Sequence, residues 1–244
     1  MNDELCNLID IRLREKHEQK KADHDAIKKP FKLYPSELGL CLRAVKFRQL
    51  GMEAAPFSLD TLNRFDKGSE VEVYVKKFLK PEEILFEELA FENEHFSGRA
   101  DIAVRIGGQN ILYELKSKDK LYIKYLKSTE QTYESLKQNL FQAFFYYQEL
   151  RNKWQLDKAV VLAISEDRSW KLPFTCPESG SFIDEFKQAG TNLITTMLEP
   201  QIPSAKWTWQ CYNKKYCKPN CQFISHCCGD LEITIEGGKI CQQT

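Results

Sequence analysis

Between residues 84 and 117 the apolar period of the chain drops from the three-to-four spacing of a helix to the two of a strand, and this switch restricts the fold more than any other feature. Ile84 to Phe91, Ser97 to Ile106 and Asn110 to Ser117 are short runs rich in apolar, β-branched and aromatic residues. Gly107-Gly108-Gln109-Asn110 is a hairpin-type turn between the second and third. Helical patterns flank this block. Leu5, Leu8, Ile9 and Leu13 predict an amphipathic helix over about 2–22. Ser36 is placed to cap a second, with Leu38, Leu42 and Val45 on its apolar stripe and Gly51 at its end. Leu62, Phe65, Val73 and Phe78 predict a third over 59–79. Downstream, Leu136, Leu140, Phe144 and Tyr147 mark a long helix over 129–154, Lys158 to Ser165 reads as a buried strand, and 180–198 as a helix. From Trp207 onward the chain is Cys-rich and irregular. Helices, three strands, helix, strand, helix and a Cys-rich tail describe an α/β core with helical and metal-bound additions.

Lys plus Arg and Asp plus Glu both total 35, so the net charge is zero. A polybasic protein that coats nucleic acid through bulk charge is thereby excluded, while a local basic groove is not. The first residues lack the apolar core of a signal peptide, and the longest apolar patch, Ala143 to Tyr147, is far below the roughly 20 residues that span a bilayer. The expectation is an intracellular, cytoplasmic protein without a membrane partner. In a reducing compartment, clustered thiols point to metal or redox chemistry rather than to structural disulfides.

The chemistry-bearing pattern is Gly98-Arg99-Ala100-Asp101 followed by Tyr113-Glu114-Leu115-Lys116. A period of two puts Glu114 and Lys116 on one face of a strand, and Asp101 lies on the partner strand of the hairpin. Two carboxylates and an ammonium then converge. Hard oxygen donors of this kind suit Mg²⁺ or Mn²⁺, which polarises a phosphodiester and acidifies a bound water. A neighbouring Lys positions that water and neutralises developing charge.

Two further clusters stand out. Lys116, Lys118, Lys120, Lys124 and Lys127 fall within 12 residues, opposed only by Asp119 and interleaved with Tyr122 and Tyr125. This composition suits a phosphate backbone with stacked bases. Lys206, Lys214, Lys215 and Lys218, near Trp207 and Trp209, form a second local excess. The tail places Cys211, Cys217, Cys221, Cys227 and Cys228 within 18 residues, beside His226. Thiolates at this density suit zinc or an iron–sulfur cluster.

The ordered set of motifs resembles the PD-(D/E)xK nuclease superfamily, and within it the RecB-like exonucleases that include the CRISPR-associated iron–sulfur type. Members carry G-x-x-x-H on a helix, a strand Asp, E-x-K on the next strand and Q-x-x-x-Y on the following helix. Here the corresponding residues are Gly68 to Glu72, Asp101, Glu114-Leu115-Lys116, and Gln142 with Tyr146. Glu72 stands where the family usually has His. The resemblance covers roughly residues 33–228. It implies a restriction-endonuclease-like core with a mixed central sheet flanked by helices. It also implies a metal-dependent deoxyribonuclease, an exonuclease favouring single-stranded DNA ends. The metal would be held by Glu72, Asp101, Glu114 and the Leu115 carbonyl, with Lys116, Gln142 and Tyr146 completing the active site. Lys118, Lys120 and Lys124 would contact DNA. The resemblance further implies a 4Fe–4S cluster on Cys41, in the context Pro35 to Arg43, and on Cys217, Cys221 and Cys227. The gap from 217 to 221 is one residue longer than the family's, so Cys211 or Cys228 remains a substitute and zinc an alternative metal. On this reading one nuclease domain divides into a helical part (1–58), a catalytic core (59–200) and a tail (201–244) that closes the cluster. Its partners would be recombination or CRISPR-integration proteins.

Overall fold

The computed structural model describes residues 4–25, 30–128, 132–203, 222–223, 233–236 and 239–242. These belong to two compact units, one of residues 1–39 with 58–190 and the other of residues 40–57 with 191–244.

The first unit is built on a five-stranded mixed sheet in the order β1-β2-β3-β4-β5. Strands β1 (Ile84–Glu92), β2 (Ser97–Ile106) and β3 (Gln109–Lys118) form an antiparallel meander. β3 then pairs in parallel with β4 (Lys158–Ser165), and β5 (Lys171–Thr175) returns antiparallel along the edge. A parallel pair needs a crossover, and helices α4 (Lys120–Ser128) and α5 (Thr132–Trp154) supply it. Helix α3 (Leu59–Lys76) starts at Ser58, whose hydroxyl accepts the Thr61 amide, and seats Val71 against Ile102, Val104, Leu115 and Ile164. The aromatic side chains of α5 pack with Phe91 and Phe96 through Phe145, and with Phe182 through Phe141 and Phe144. Helix α1 (Glu4–Asp25) completes this unit.

The second unit contains α2 (Leu42–Gln49), the end of α6 (Ser181–Leu198) and the hairpin of β6 (Ile233–Glu236) and β7 (Lys239–Gln242). Lys46 is buried here because the C-terminal carbonyls of α6 need donors: its Nζ donates to Thr196 O, Glu199 O and Gln49 Oε1. Arg43 donates to Pro203 O, Phe223 packs on Phe47, and the Ala55 amide donates to Gln222 O.

Several sequence expectations change. The single helix expected after Ser36 is a 3-10 turn over Pro35–Glu37 and then α2, interrupted at Gly39, whose φ of +82° no helix accommodates. Tyr34, not Ser36, caps the turn. Of the expected stripe on α3, Leu62 is buried but Phe65, Val73 and Phe78 are exposed; Val71 faces the core instead. The lysine-rich segment after β3 is helix α4, and β5 follows a turn that carried no strand expectation. Among the described residues no helix is long and apolar enough to cross a membrane.

Candidate active site

The antiparallel ladder between β2 and β3 runs from Ile106↔Gln109 to Ile102↔Tyr113 and stops there. The next facing pair would be Asp101 and Glu114. Instead the strands part, and Asp101 Oδ2 takes the Leu115 amide at 2.7 Å. On its other side Asp101 faces Glu88, which the β1–β2 ladder also skips and which holds a left-handed φ of 47°. Non-glycine residues adopt that conformation only where their surroundings impose it. The sheet therefore opens locally at Asp101, and its carboxylate replaces a missing ladder bond.

Glu114 is 1% exposed, a depth at which an unpaired carboxylate is costly. Its Oε1 accepts a 2.5 Å bond from Lys116 Nζ, two residues along the same face. Burial pushes the Glu114 carboxyl up to about 7; Lys116 opposes the rise, and Asp101 and Glu72 add to it. Asp101 is raised by burial against the pull of Lys116 and the Leu115 amide. Glu72, half-buried on α3, is raised by burial and then by Asp101 and Glu88. Burial lowers the Lys116 ammonium, but Glu114 and Asp101 outweigh it and the group stays above its ordinary value. Three carboxylates thus sit in one electrostatic neighbourhood with Lys116 as the cation in hydrogen-bond contact.

That surplus of buried negative charge and the all-oxygen donor set fit a hard divalent cation. Glu72, Asp101 and Glu114 are the acids of that set. Among the described residues no group of three or more His, Cys, Asp or Glu side chains is placed to hold a metal ion. In this arrangement Glu114 is engaged by Lys116 and Asp101 by the Leu115 amide.

Tyr146 is fully buried, and its Oη accepts the Arg99 amide at 2.9 Å, two residues before Asp101. It thereby holds β2 in place. Gln142, one turn earlier on α5, is half-buried and has no hydrogen bond to the three acids. Lys118, half-buried at the end of β3, lies over the Tyr122 ring, and burial followed by Lys116 and Arg64 lowers its ammonium to about 8. Lys120 is paired with Asp167 at 2.7 Å, while exposed Lys124 lies over Trp170. Cys41 is half-buried and caps α2. Cys217, Cys221, Cys227, Cys211, Cys228, His226 and the basic cluster at 206–218 lie outside the described residues.

One neighbour of the centre escaped the sequence reading. Glu88 raises both Asp101 and Glu72 and is paired with Arg99 at 3.2 Å and Lys76 at 3.6 Å. Hairpin register was the available signal, since residue 88 falls opposite residue 101. Cys176, buried beside Leu140, is a thiol pushed up to about 12 by burial and then by Glu114. It is therefore an inert packing group.

No protein-family profile and no curated protein matches the sequence. Among solved structures, a phage-related exonuclease from Haemophilus somnus 129PT aligns at 15% identity and a TM-score of 0.46, covering 69% of this chain and 94% of its own. An alkaline exonuclease from Laribacter hongkongensis aligns at 13% identity and 0.45, covering 68% and 87%. The solved protein SSO0001 aligns at 17% identity and a TM-score of 0.50, covering 92% of this chain and 98% of its own. With SSO0001, over nearly the full length of both chains, this mixed α/β protein shares its fold.

Proposed function

We propose that the chain is a divalent-metal-dependent deoxyribonuclease, an exonuclease hydrolysing phosphodiester bonds at single-stranded DNA ends. The observation that carries this reading is the buried Glu114–Lys116 pair set beside Asp101 and Glu72. Three mutually destabilised carboxylates around one ammonium are a costly arrangement for a protein to keep without a cationic ligand. Glu72, Asp101 and Glu114, with the Leu115 carbonyl, would hold Mg²⁺ or Mn²⁺. When bound, the ion supplies Lewis-acid polarisation of the phosphodiester and an acidified water. Lys116 orients the attacking water and offsets charge that grows on the phosphorane oxygens. Tyr146 fixes the strand that bears Asp101, and Gln142 lies on the same face of α5. Lys118, Lys120 and Lys124 would contact the DNA backbone.

A 4Fe–4S cluster on Cys41, Cys217, Cys221 and Cys227 is part of the same proposal, with zinc as the alternative. In its support, Cys41 belongs to the unit in which Gln222 and Phe223, next to Cys221, pack against Ala55 and Phe47. Such a site would be structural, tying α2 to the tail. Recombination or CRISPR-integration proteins are the proposed partners. The second reading, a catalytically weak DNA-binding module, draws on the engagement of Glu114 by Lys116.

Anaerobically purified full-length protein decides between these. It is expected to be brown, with iron and acid-labile sulfide, and to shorten end-labelled single strands only when Mg²⁺ or Mn²⁺ is added. Asp101→Asn is expected to lose that cleavage. Degradation that persists in EDTA or in Asp101→Asn would sink the nuclease reading, and colourless protein with stoichiometric zinc would replace the cluster by zinc.

A further inference from the structure

The turn between β4 and β5, residues 166–170, is held more firmly than a surface loop requires. Asp167 accepts from Ser165 Oγ at 2.6 Å, Ser169 Oγ at 2.7 Å and the Ser169 amide at 3.1 Å, and it pairs with Lys120 of α4 at 2.7 Å. Glu166 pairs with Lys67 of α3 at 2.6 Å. Arg168 is fixed at a left-handed φ of 62°, its guanidinium 5.1 Å from the Tyr74 ring of α3 and 3.6 Å from Glu70. The turn thus bridges the two helices that flank it.

What it presents is two half-buried aromatic rings, each bracketed by two exposed cations. Lys124 and Lys127 stand 5.7 and 4.4 Å from the Trp170 centroid. Arg168 and Lys171 stand 5.1 and 5.6 Å from that of Tyr74. The acids of the turn and of the α3 face it meets, Glu70, Glu166 and Asp167, are each paired with one cation, Arg168, Lys67 and Lys120 respectively, and Asp66 farther along α3 is paired with Lys16. Among the described residues that leaves the charges of Lys124, Lys127 and Lys171 in surplus. Beyond Tyr74 the surface deepens into a cavity of about 290 Å³ lined by Lys16, Lys20 and Lys77 together with the acids Asp66 and Glu70.

A ring with cations a few ångströms from its centre is matched by a base with its own phosphate. Rings along a cationic track are the common solution for binding a single strand without reading its sequence. The position is also suitable. Lys118 pairs with Ser165 across the parallel strands, so the turn begins where β3 and β4 end, beyond Lys116. Ligands of open α/β sheets bind outside the carboxyl ends of such strands.

We propose that the β4–β5 turn, through Trp170 and the Arg168–Tyr74 pair, is a track for single-stranded nucleic acid leading away from the Asp101–Glu114–Lys116 centre. The inference rests on the reading of that centre as a nuclease site and adds a surface to it.

Binding of full-length protein to fluorescent oligonucleotides of about four and about twenty nucleotides, in EDTA so that nothing is cut, tests the track. Trp170→Ala is expected to weaken the longer strand about tenfold or more and the shorter less than twofold. Lys127→Glu with Lys171→Glu, both on exposed residues, is expected to flatten the log–log salt dependence for the longer strand by about 1.4. Equal weakening of both lengths, no weakening of either, or binding of polyglutamate as tight as that of the oligonucleotide would overturn the proposal. Adding Mn²⁺ to the short strand tests the other reading separately. A strand bound through Trp170 yet never cut would remove the nuclease and keep the track. One that is cut but bound without Trp170 would do the reverse.

Discussion

Lys116→Met is expected to lower metal-dependent cleavage by about 10²–10³-fold, the range for removing one positioned electrostatic group from an active site. It should also destabilise the metal-free protein in a pH-dependent way. Lys116 is the hydrogen-bonded counter-charge of a carboxylate that is 1% exposed. Removing one partner of a buried pair costs about 3 kcal/mol when the other stays ionised. Glu114 does not stay ionised at every pH. Its folded value of about 7 lies above its ordinary 4.5. For such a raised acid, the stability from protonation is fully present below the unfolded value and is lost as pH rises through the folded one. In the variant that upper limit moves higher still, because the opposing ammonium is gone. Wild type and variant should therefore differ most near pH 8 and least near pH 5, where Glu114 is protonated in both. Urea unfolding in EDTA at the two pH values measures this. An equal loss at both, or cleavage at the wild-type rate, would separate Lys116 from the carboxylates.

That Glu114 and Lys116 share a strand face was legible from spacing, whereas the energetics of the pair were not. A period of two puts residues 114 and 116 on one face in any strand. It does not say that the face is buried, or that β2 leaves the ladder at Asp101 so that a side-chain oxygen takes a backbone donor. The same limit explains Glu88. Its left-handed backbone arises from the fit of β1 to β2, and nothing local in Phe86-Glu87-Glu88-Leu89 announces it.

The strands of the meander and the long helix α5 were readable because apolar, β-branched and aromatic residues are concentrated in them, even where burial runs through several consecutive positions. The segment after β3 was not. Five lysines within 12 residues suit a phosphate backbone and carry no helix expectation, yet Ile123 and Leu126 are fully buried and Asp119 caps the start of α4 by accepting the Leu121 amide. Two apolar residues three apart were enough to fold a helix whose other faces remain cationic. β5 was hidden because Pro173 argues against a strand, and it is tolerated only because β5 lies on the sheet edge. Trp170 became a candidate only once the β4–β5 turn brought it against α4, an encounter between residues more than forty positions apart.

The second large effect is expected at Gly98, which belongs to the site without carrying chemistry. A Cβ there would lie 2.3 Å from Tyr146 Oη, 3.3 Å from its Cζ and 3.0 Å from Pro35 Cδ. Tyr146 is fully buried, and its hydroxyl is already committed to the Arg99 amide, so it has nowhere to retreat. Gly98→Ala should cost about 2–3 kcal/mol, as overpacking of a rigid core does. It should also depress cleavage, because β2 must shift and Asp101 is three residues along it. Tyr146→Phe alone should cost about 1 kcal/mol, the loss of one part-buried hydrogen bond to the Arg99 amide. Combining them removes the 2.3 Å collision and leaves contacts that yield by tenths of an ångström. The double variant should therefore be more stable than the sum of the single costs predicts, by about 1–2 kcal/mol. Additive costs would mean that the added methyl is resisted mainly by Pro35, and that Tyr146 does not hold the strand bearing Asp101. A non-additive result accompanied by partial recovery of cleavage would tie the hydroxyl of Tyr146 to the placement of that carboxylate.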